Sequence, residues 1–513
     1  MQYLLALIAG ATVFLGFSPY GLWYIALLSL LIFAALWRRN SSTKKGFALA
    51  LAFNFGMFGT GVHWIYFSIH SYGQVPAPLA VSFTAGFAFF MALMSSLPWL
   101  LSGVFRNASR MAAFPAIWLL GEWVRGWMLT GFPWLYLGQA HLDTPLAGWI
   151  SVVGVLGTGF ILATTAALLI CMFTQRRPLL LIAQAAALIM LWGGGSVLNR
   201  VEWTQPLQTP LSATLVQPNI ALEDKWNRSK SQGIMDTLIN QSEPHWGDSL
   251  IIWPEAAIPY IGDDAQHHLD QIDIKARATN SAFISGYLTY NEQKERFFNT
   301  IGGAGHAEGE YLKQRLVPFG EYVPLESWIR GLMHFFDLPT SIISAGEANQ
   351  PPLTVRQNGQ TYVAAPAICY EIAYPLLVSS LAKQANFIVT LSNDAWFGES
   401  IGPLQHIEIA QGRALENRKP VFRVTNNGIT GSINHRGDIV DVLPQFQAGT
   451  LQTEIFAMSG TTPFSLYGNW PILLITLGAL IAAYLWRQEA GRQENREVLR
   501  TKEEPLNDAS QSK

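Results

Sequence analysis

Long apolar runs, closed off by short clusters of arginine and lysine, constrain this chain more than any other feature. A helix needs roughly 20 mostly apolar residues to cross the hydrocarbon core of a bilayer. Runs of that kind are read at roughly 3–17, 21–37, 46–69, 78–104, 112–135, 146–174, 178–197 and 470–486. The first is short, but it lacks the basic start and the small-residue cleavage site of a secretory signal, so it counts as a helix. The run at 112–135 carries Glu122 and Arg125, which share a helical face at a spacing of three. Two readings stay open for them: a functional intramembrane pair, or a pair that locks helices together.

The basic residues set an orientation. Arg38, Arg39, Lys44 and Lys45 follow the second run, Arg106 and Arg110 the fourth, Arg176 and Arg177 the sixth, and Arg487, Arg492 and Arg496 the last. The alternate loops near 18–20, 70–77 and 136–145 hold no lysine or arginine. Basic loops stay on the cytoplasmic side. With eight spans, both termini are expected on the cytoplasmic side. The segment between the seventh and eighth spans then lies on the other face, which is the periplasm if the cell is of the Gram-negative type.

Charged residues make up 13% of the chain, against about 25% in an ordinary soluble domain, and they are concentrated beyond residue 200. The expected organisation is a helical bundle at 1–197, a linker at 198–211, an α/β domain at 212–455, a second linker at 456–469, a last membrane helix at 470–486 and a disordered cytoplasmic tail at 487–513. The net charge of −2 and the lack of a basic stripe or phosphate-cradling glycine loop argue against a nucleic-acid partner. Two cysteines, Cys171 and Cys369, lie in different environments. They offer neither a structural disulfide nor a zinc site.

From about residue 212 short β-rich runs alternate with helical stretches: "SATLVQPN", "SLIIWPEAAIP", "AFISGYL", "YVAAPAICYE", "NFIVTLSNDAW" and "PVFRVTNNGITGSI". That alternation indicates a layered α/β fold. Glu255, Lys313 and Cys369 stand at or near the ends of such runs, where side chains of a sheet enzyme converge on one cleft. Singly, each has an ordinary explanation: a capping carboxylate, a surface charge, an inert buried thiol. Together they form a chemical unit. A free thiol is mostly protonated at neutral pH, with a pKa of about 8.5. A carboxylate can take its proton, and an ammonium can hold the oxyanion of an attacked carbonyl. The backbone N–H after the nucleophile can supply a second oxyanion donor. Arg315 shares a strand face with Lys313 and competes for the cation role on pattern alone.

At these residues the sequence resembles the nitrilase (carbon–nitrogen hydrolase) superfamily. "WPE" at 253–255, "KQRLVPFGE" at 313–321 and "CYE" at 369–371 match its Glu–Lys–Cys motif blocks in order. The resemblance implies a four-layer α-β-β-α sandwich, here attached to a multi-pass helical bundle. Within that superfamily the layout resembles the bacterial apolipoprotein N-acyltransferase family, as do "FPWLYLG" at 132–138, "LVPFGEYVP" at 316–324, "SNDAWFG" at 392–398 and "TNNGITG" at 425–431. It implies Glu255 as general base, Lys313 as oxyanion stabiliser and Cys369 as nucleophile. Glu321 would orient the lysine, and Asn299, Tyr370 and Glu371 would support the site.

The implied reaction moves an acyl chain from a membrane phospholipid to Cys369 as a thioester, then to the N-terminal amine of a diacylglyceryl-cysteine on an apolipoprotein. It needs no metal or dissociable cofactor. A membrane-tethered amidase that uses water as acceptor passes through the same thioester, so the triad alone leaves that alternative open. A transporter or scaffold is disfavoured by the few intramembrane charges and the lack of matching broken helices. The apolar stretch 325–344, with Trp328, Leu332, Met333, Phe335, Phe336 and Ile343, is expected to be an arm that dips into the outer leaflet and guides acyl chains.

Overall fold

The eight apolar runs fold as helix, but not all as straight spans. In the computed structural model, residues 1–40, 42–247, 250–291, 295–318, 320–322 and 343–508 are described. Ala77–Gly103, Ala147–Thr174, Pro178–Leu198 and Trp470–Glu489 are long and apolar enough to cross a membrane. Thr43–Gly61 and Ile65–Tyr72 form a pair bent by 60°. Gln2–Gly16 and Trp23–Arg38 are shorter apolar helices.

Two expected boundaries need correction. The run read at 112–135 is helical only over Asn107–Arg125. Beyond it Gly131 adopts φ +81° and Pro133 removes a backbone donor, so 126–135 is irregular. The tail read as disordered after 486 continues the last helix, which spans Trp470–Asp508. Its residues 487–508 include five Glu and four Arg, both good helix formers, and extending an existing helix needs no new nucleus.

The α/β domain is two sheets face to face. One orders its strands Gly449–Ile455, Leu211–Gln217, Leu250–Ile252, Ala282–Asn291, Arg296–Gly305, Glu310–Leu312. The other runs Ile439–Leu443, Thr430–Ile433, Val421–Thr425, Phe387–Ser392, Gln360–Ile368, Leu353–Gln357, Ala307–Glu308. The strands at the centre of each sheet are parallel to a neighbour and buried on both faces, which is why they read as continuous apolar runs. Helices Ser231–Ser242 and Asp263–Ala278 cover the first sheet, while Pro375–Ala382 and Gly402–Asn417 cover the second. The layers are therefore α-β-β-α.

The segments read as linkers pair with each other. Thr204–Pro206 runs antiparallel to Met458–Gly460, with Gln205 opposite Ser459. Chain entry and chain exit are thus clamped side by side.

Helix Gly402–Asn417 also docks the domain onto the bundle. Its Gln405, Glu408 and Glu416 fall on one face, at spacings close to whole helical turns. Trp64 Nε1 and Trp134 Nε1 donate to Gln405 Oε1 at 3.1 and 2.8 Å. Gln405 Nε2 in turn donates to the Gly61 carbonyl at 3.2 Å. Ser18 N–H donates to Glu408 Oε1 at 2.9 Å. Helix Ala147–Thr174 breaks at Gly154 (φ +70°), and the Val155 N–H freed there donates to Glu416 Oε1 at 3.0 Å. A Cβ on Gly154 would stand 2.4 Å from the Phe464 ring, so only glycine fits.

Candidate active site

Glu255 sits just beyond the three-residue strand Leu250–Ile252. Trp253, fully buried, fixes the strand end by donating its Nε1 to Ser242 Oγ at 2.8 Å. The chain then lies flat against strand Ala282–Asn291: Gly286 N–H donates to the Pro254 carbonyl at 3.2 Å and Ala257 N–H to the Gly286 carbonyl at 2.7 Å. A Cβ on Gly286 would meet Ala256 N and Glu255 Cα at 2.7 Å, both backbone atoms that cannot swing aside. Gly286→Ala is therefore expected to push Glu255 off its position. A displacement near 1 Å at a catalytic group costs about 10²-fold in rate. A single-turnover acylation assay checks this, and an unchanged rate would contradict the close approach.

Lys313 follows the edge strand Glu310–Leu312, its N–H donating to the Asn299 carbonyl at 2.8 Å. Its side chain is only 1% exposed. It donates to Glu321 Oε1 at 2.7 Å and lies 3.5 Å from Glu255 Oε1. Asn299 Nδ2 reaches the same two carboxylates, at 2.8 Å to Glu255 and 3.3 Å to Glu321. Val317 N–H donates to the other Glu321 oxygen at 2.8 Å. Two carboxylates, Glu255 buried and Glu321 part-buried, are thus held around one cation. Burial opposes the charge on Lys313, but Glu321 and Glu255 outweigh it and hold the ammonium well above the usual lysine range. Arg315 does not compete for this place: its guanidinium lies over the Tyr374 ring, 5.4 Å from the centroid.

Cys369 ends the strand Gln360–Ile368 and opens the short helix Cys369–Ala373. Its φ is +51°, a left-handed conformation that side chains with a Cβ rarely adopt. Glu371, buried behind it, holds the bend. Its carboxylate accepts from Ile368 N–H at 2.8 Å, Gln314 N–H at 2.6 Å, Arg315 N–H at 3.0 Å and Tyr311 Oη–H at 3.0 Å. One carboxylate thus joins the cysteine bend to the segment that carries Lys313. On the other side His406 Nε2 donates to the Cys369 carbonyl at 3.1 Å. Its Nδ1 lies 3.0 Å from Asp394 Oδ1 and 3.1 Å from Arg423 Nη2; burial, then Arg423, lower the His406 pKa, and Asp394 opposes them. Arg423 is paired with buried Asp394 at 2.5 Å.

Burial, then the Glu255 carboxylate, push the Cys369 thiol well above its usual range, and Lys313 only partly opposes them. The resting sulfur is a thiol and needs a base to react. Alkylation by iodoacetamide is expected to stay slow through the range where a free thiol ionises, about pH 8.5, and to rise only at higher pH. A midpoint at or below that value would contradict the resting state described.

The membrane bundle forms part of the wall beside the cysteine. Tyr370 Oη and Tyr374 Oη both donate to the Gly131 carbonyl at 3.0 Å, and Tyr374 Oη also lies 2.9 Å from the Thr130 carbonyl. Tyr322 Oη donates to Thr130 Oγ1 at 3.1 Å. Glu122 and Arg125 shape that loop. Arg125 donates to the carbonyls of Phe132 (3.2 Å), Trp134 and Leu135 (2.9 Å), while Glu122 accepts from Leu137 N–H at 2.8 Å. The pair, 3.7 Å apart, folds the segment after its own helix rather than joining two helices.

Lys225 was not legible as a site residue. Buried, it donates its Nζ to the Glu255 carbonyl at 2.9 Å. Burial brings its pKa down to about 8, against the opposing pull of Glu255 and Cys369. His406, Asp394 and Arg423 were missed as well; they come from separate elements, and no local spacing joins them. Of the expected arm at 325–344, Trp328, Leu332, Met333, Phe335 and Phe336 lie outside the described residues. Ile343, half-buried, bridges to Phe297, and Ser344 N–H donates to the Phe297 carbonyl at 2.8 Å.

Two family profiles match the chain. One, described as the apolipoprotein N-acyltransferase N-terminal domain, matches residues 9–168, and one described as carbon–nitrogen hydrolase matches 212–463. Similar curated proteins include the apolipoprotein N-acyltransferases of Pseudomonas aeruginosa (strain LESB58), 42% identical over 499 residues and covering 95% of this chain and 96% of that protein. That of Azotobacter vinelandii is 40% identical, covering 95% and 96%, and that of Vibrio parahaemolyticus 37% identical, covering 95% and 97%. Among solved structures, Nit3 of Saccharomyces cerevisiae, from branch 10 of the nitrilase superfamily, aligns with 50% of this chain and 92% of its own, at a TM-score of 0.37 and 16% identity.

Proposed function

This chain belongs to the apolipoprotein N-acyltransferase family, and from that premise we propose how its own residues carry the acyl transfer to an apolipoprotein. The observation that carries the proposal is the cluster of Glu255, Lys313 and Glu321 beside a Cys369 held in a left-handed backbone conformation, walled by a loop of the membrane bundle.

Glu255 takes the Cys369 proton as sulfur attacks the ester carbonyl of a phospholipid. The Lys313 ammonium and the Tyr370 backbone N–H hold the oxyanion. The carbon–oxygen bond breaks, the lysophospholipid alkoxide takes the proton back from Glu255, and a thioester remains. The N-terminal amine of the diacylglyceryl-cysteine then attacks that thioester and gives a proton to Glu255. The carbon–sulfur bond breaks, the sulfur is reprotonated, and an amide is released. Glu321 and Asn299 keep Lys313 aimed, Glu371 keeps the bend, and Lys225 positions Glu255 through its carbonyl. The arm at 325–344 guides the acyl chains. The membrane is a bacterial inner membrane, with the α/β domain on the periplasmic side and both termini in the cytoplasm; the basic loops support that orientation.

The test is purified protein with a phospholipid labelled in one acyl chain, with and without a diacylated lipopeptide. Labelled triacylated peptide is the expected product. Free fatty acid as sole product in both arms would make the protein a hydrolase instead.

A further inference from the structure

A cavity of about 1150 Å³ lies in the bundle away from the α/β domain. Its position follows from helix Ala147–Thr174. Val155 touches Glu416 of the α/β domain, whereas Thr174, on the cavity wall, is about 29 Å of helix further on. Four arginines, Arg38, Arg39, Arg106 and Arg110, line one part. No aspartate or glutamate lines it among the described residues. Arg110 is only 4% exposed; it donates to the carbonyls of Arg38 at 2.9 Å and Phe105 at 3.1 Å. Its Nε is buried without a partner among the described residues, as is Gln184 Oε1, also on the lining.

Much of the rest of the wall is apolar, interrupted by Thr164, Thr174, Gln175 and Gln184. Phe160, Thr164, Ala167, Leu168, Cys171 and Thr174 recur at helical spacing and form a strip about 21 Å long. That exceeds half the roughly 30 Å hydrocarbon core, the depth of one leaflet. Met111 and Trp486 face it from other helices. A small anion would satisfy the arginines and leave this strip empty. A zwitterionic lipid would fill the strip and leave the arginines without net countercharge. Both features are met by one molecule with an anionic head and long acyl chains.

We propose that this cavity binds an anionic phospholipid of the leaflet remote from the α/β domain, its phosphate among Arg38, Arg39, Arg106 and Arg110 and an acyl chain along Phe160–Thr174. The site is separate from the catalytic centre and does not depend on the reading of the reaction.

Native mass spectrometry of the full-length protein in mild detergent tests this, with phosphatidylglycerol and phosphatidylcholine of identical chains in equal amounts. One phosphatidylglycerol is expected to be retained, about 100-fold in preference, with basic residues near an anionic leaflet each contributing a several-fold effect. R38Q/R106Q is expected to reduce that preference about 30-fold, with its melting temperature in phosphatidylcholine unchanged. Millimolar inorganic phosphate is expected not to displace the lipid. Equal retention of the two lipids by the wild-type protein overturns the proposal, and that comparison needs no variant to fold. An unchanged preference in the double variant, or displacement by phosphate, overturns it as well.

Discussion

Cys369→Ala is expected to abolish the covalent acyl adduct and to lower turnover by about 10⁴-fold or more, the scale seen when a nucleophile that works as part of a unit is removed. Folding is expected to survive. Alanine carries the same Cβ as cysteine, so the left-handed backbone at φ +51° is no more strained than before. The four donors on Glu371, which hold the bend, are untouched. Cys369→Gly separates chemistry from strain. It is equally inactive, yet glycine relieves the backbone penalty, so its melting temperature is expected to match or exceed that of Cys369→Ala. Intact-mass spectrometry after incubation with phospholipid reads the adduct, and a thermal melt reads the fold. A persistent adduct in Cys369→Ala would remove the sulfur from the mechanism.

Lys313→Met is expected to damage both activity and stability. The ammonium lies 2.7 Å from Glu321 and 3.5 Å from Glu255, almost without solvent. Removing it leaves the buried Glu255 carboxylate and the part-buried Glu321 carboxylate facing each other; losing one partner of a fully buried pair costs roughly 3–5 kcal/mol, and the partial exposure of Glu321 lowers that cost here. The carboxylates respond by holding protons more tightly. A protonated Glu255 is no longer a base, so acylation falls for two reasons: a lost oxyanion donor, worth about 10²–10³-fold, and a lost proton acceptor. The sign with pH follows. With its pKa raised in the folded state, Lys313 contributes stability that is fully present below the usual lysine range and lost as pH rises through the folded value. The wild-type advantage in melting temperature over Lys313→Met is therefore expected to hold across neutral pH and to shrink only in strong alkali. An advantage that disappears at neutral pH would mean that the lysine is not held charged.

The membrane helices and the α/β layering were legible because both rest on local periodicity. Glu255, Lys313 and Cys369 stood out as candidates because each lies at or near the end of a strand, and because the motif blocks around them resemble, in order, those of a family. What failed was non-local. Lys225 looks like any lysine ahead of a tryptophan; only the fold carries it to the Glu255 carbonyl. Arg315 and Lys313 share a strand face by alternation, but the strand ends at Leu312, so the alternation no longer applies where it was used. The linkers read as loose because their composition is that of junctions; their pairing depends on residues some 250 positions apart, which composition does not see. Charge at 487–508 suggested disorder, although those residues favour helix when a helix already precedes them.

The break at Gly154 carries a consequence for biogenesis. The amide released there finds its acceptor in Glu416, which leaves the ribosome 261 positions later. Until the layers between them have been synthesised and have docked, that turn of the bundle must lean on water or lipid headgroups. Maturation of the membrane half is therefore completed from outside the bilayer, by the last-arriving outer helix of the sandwich.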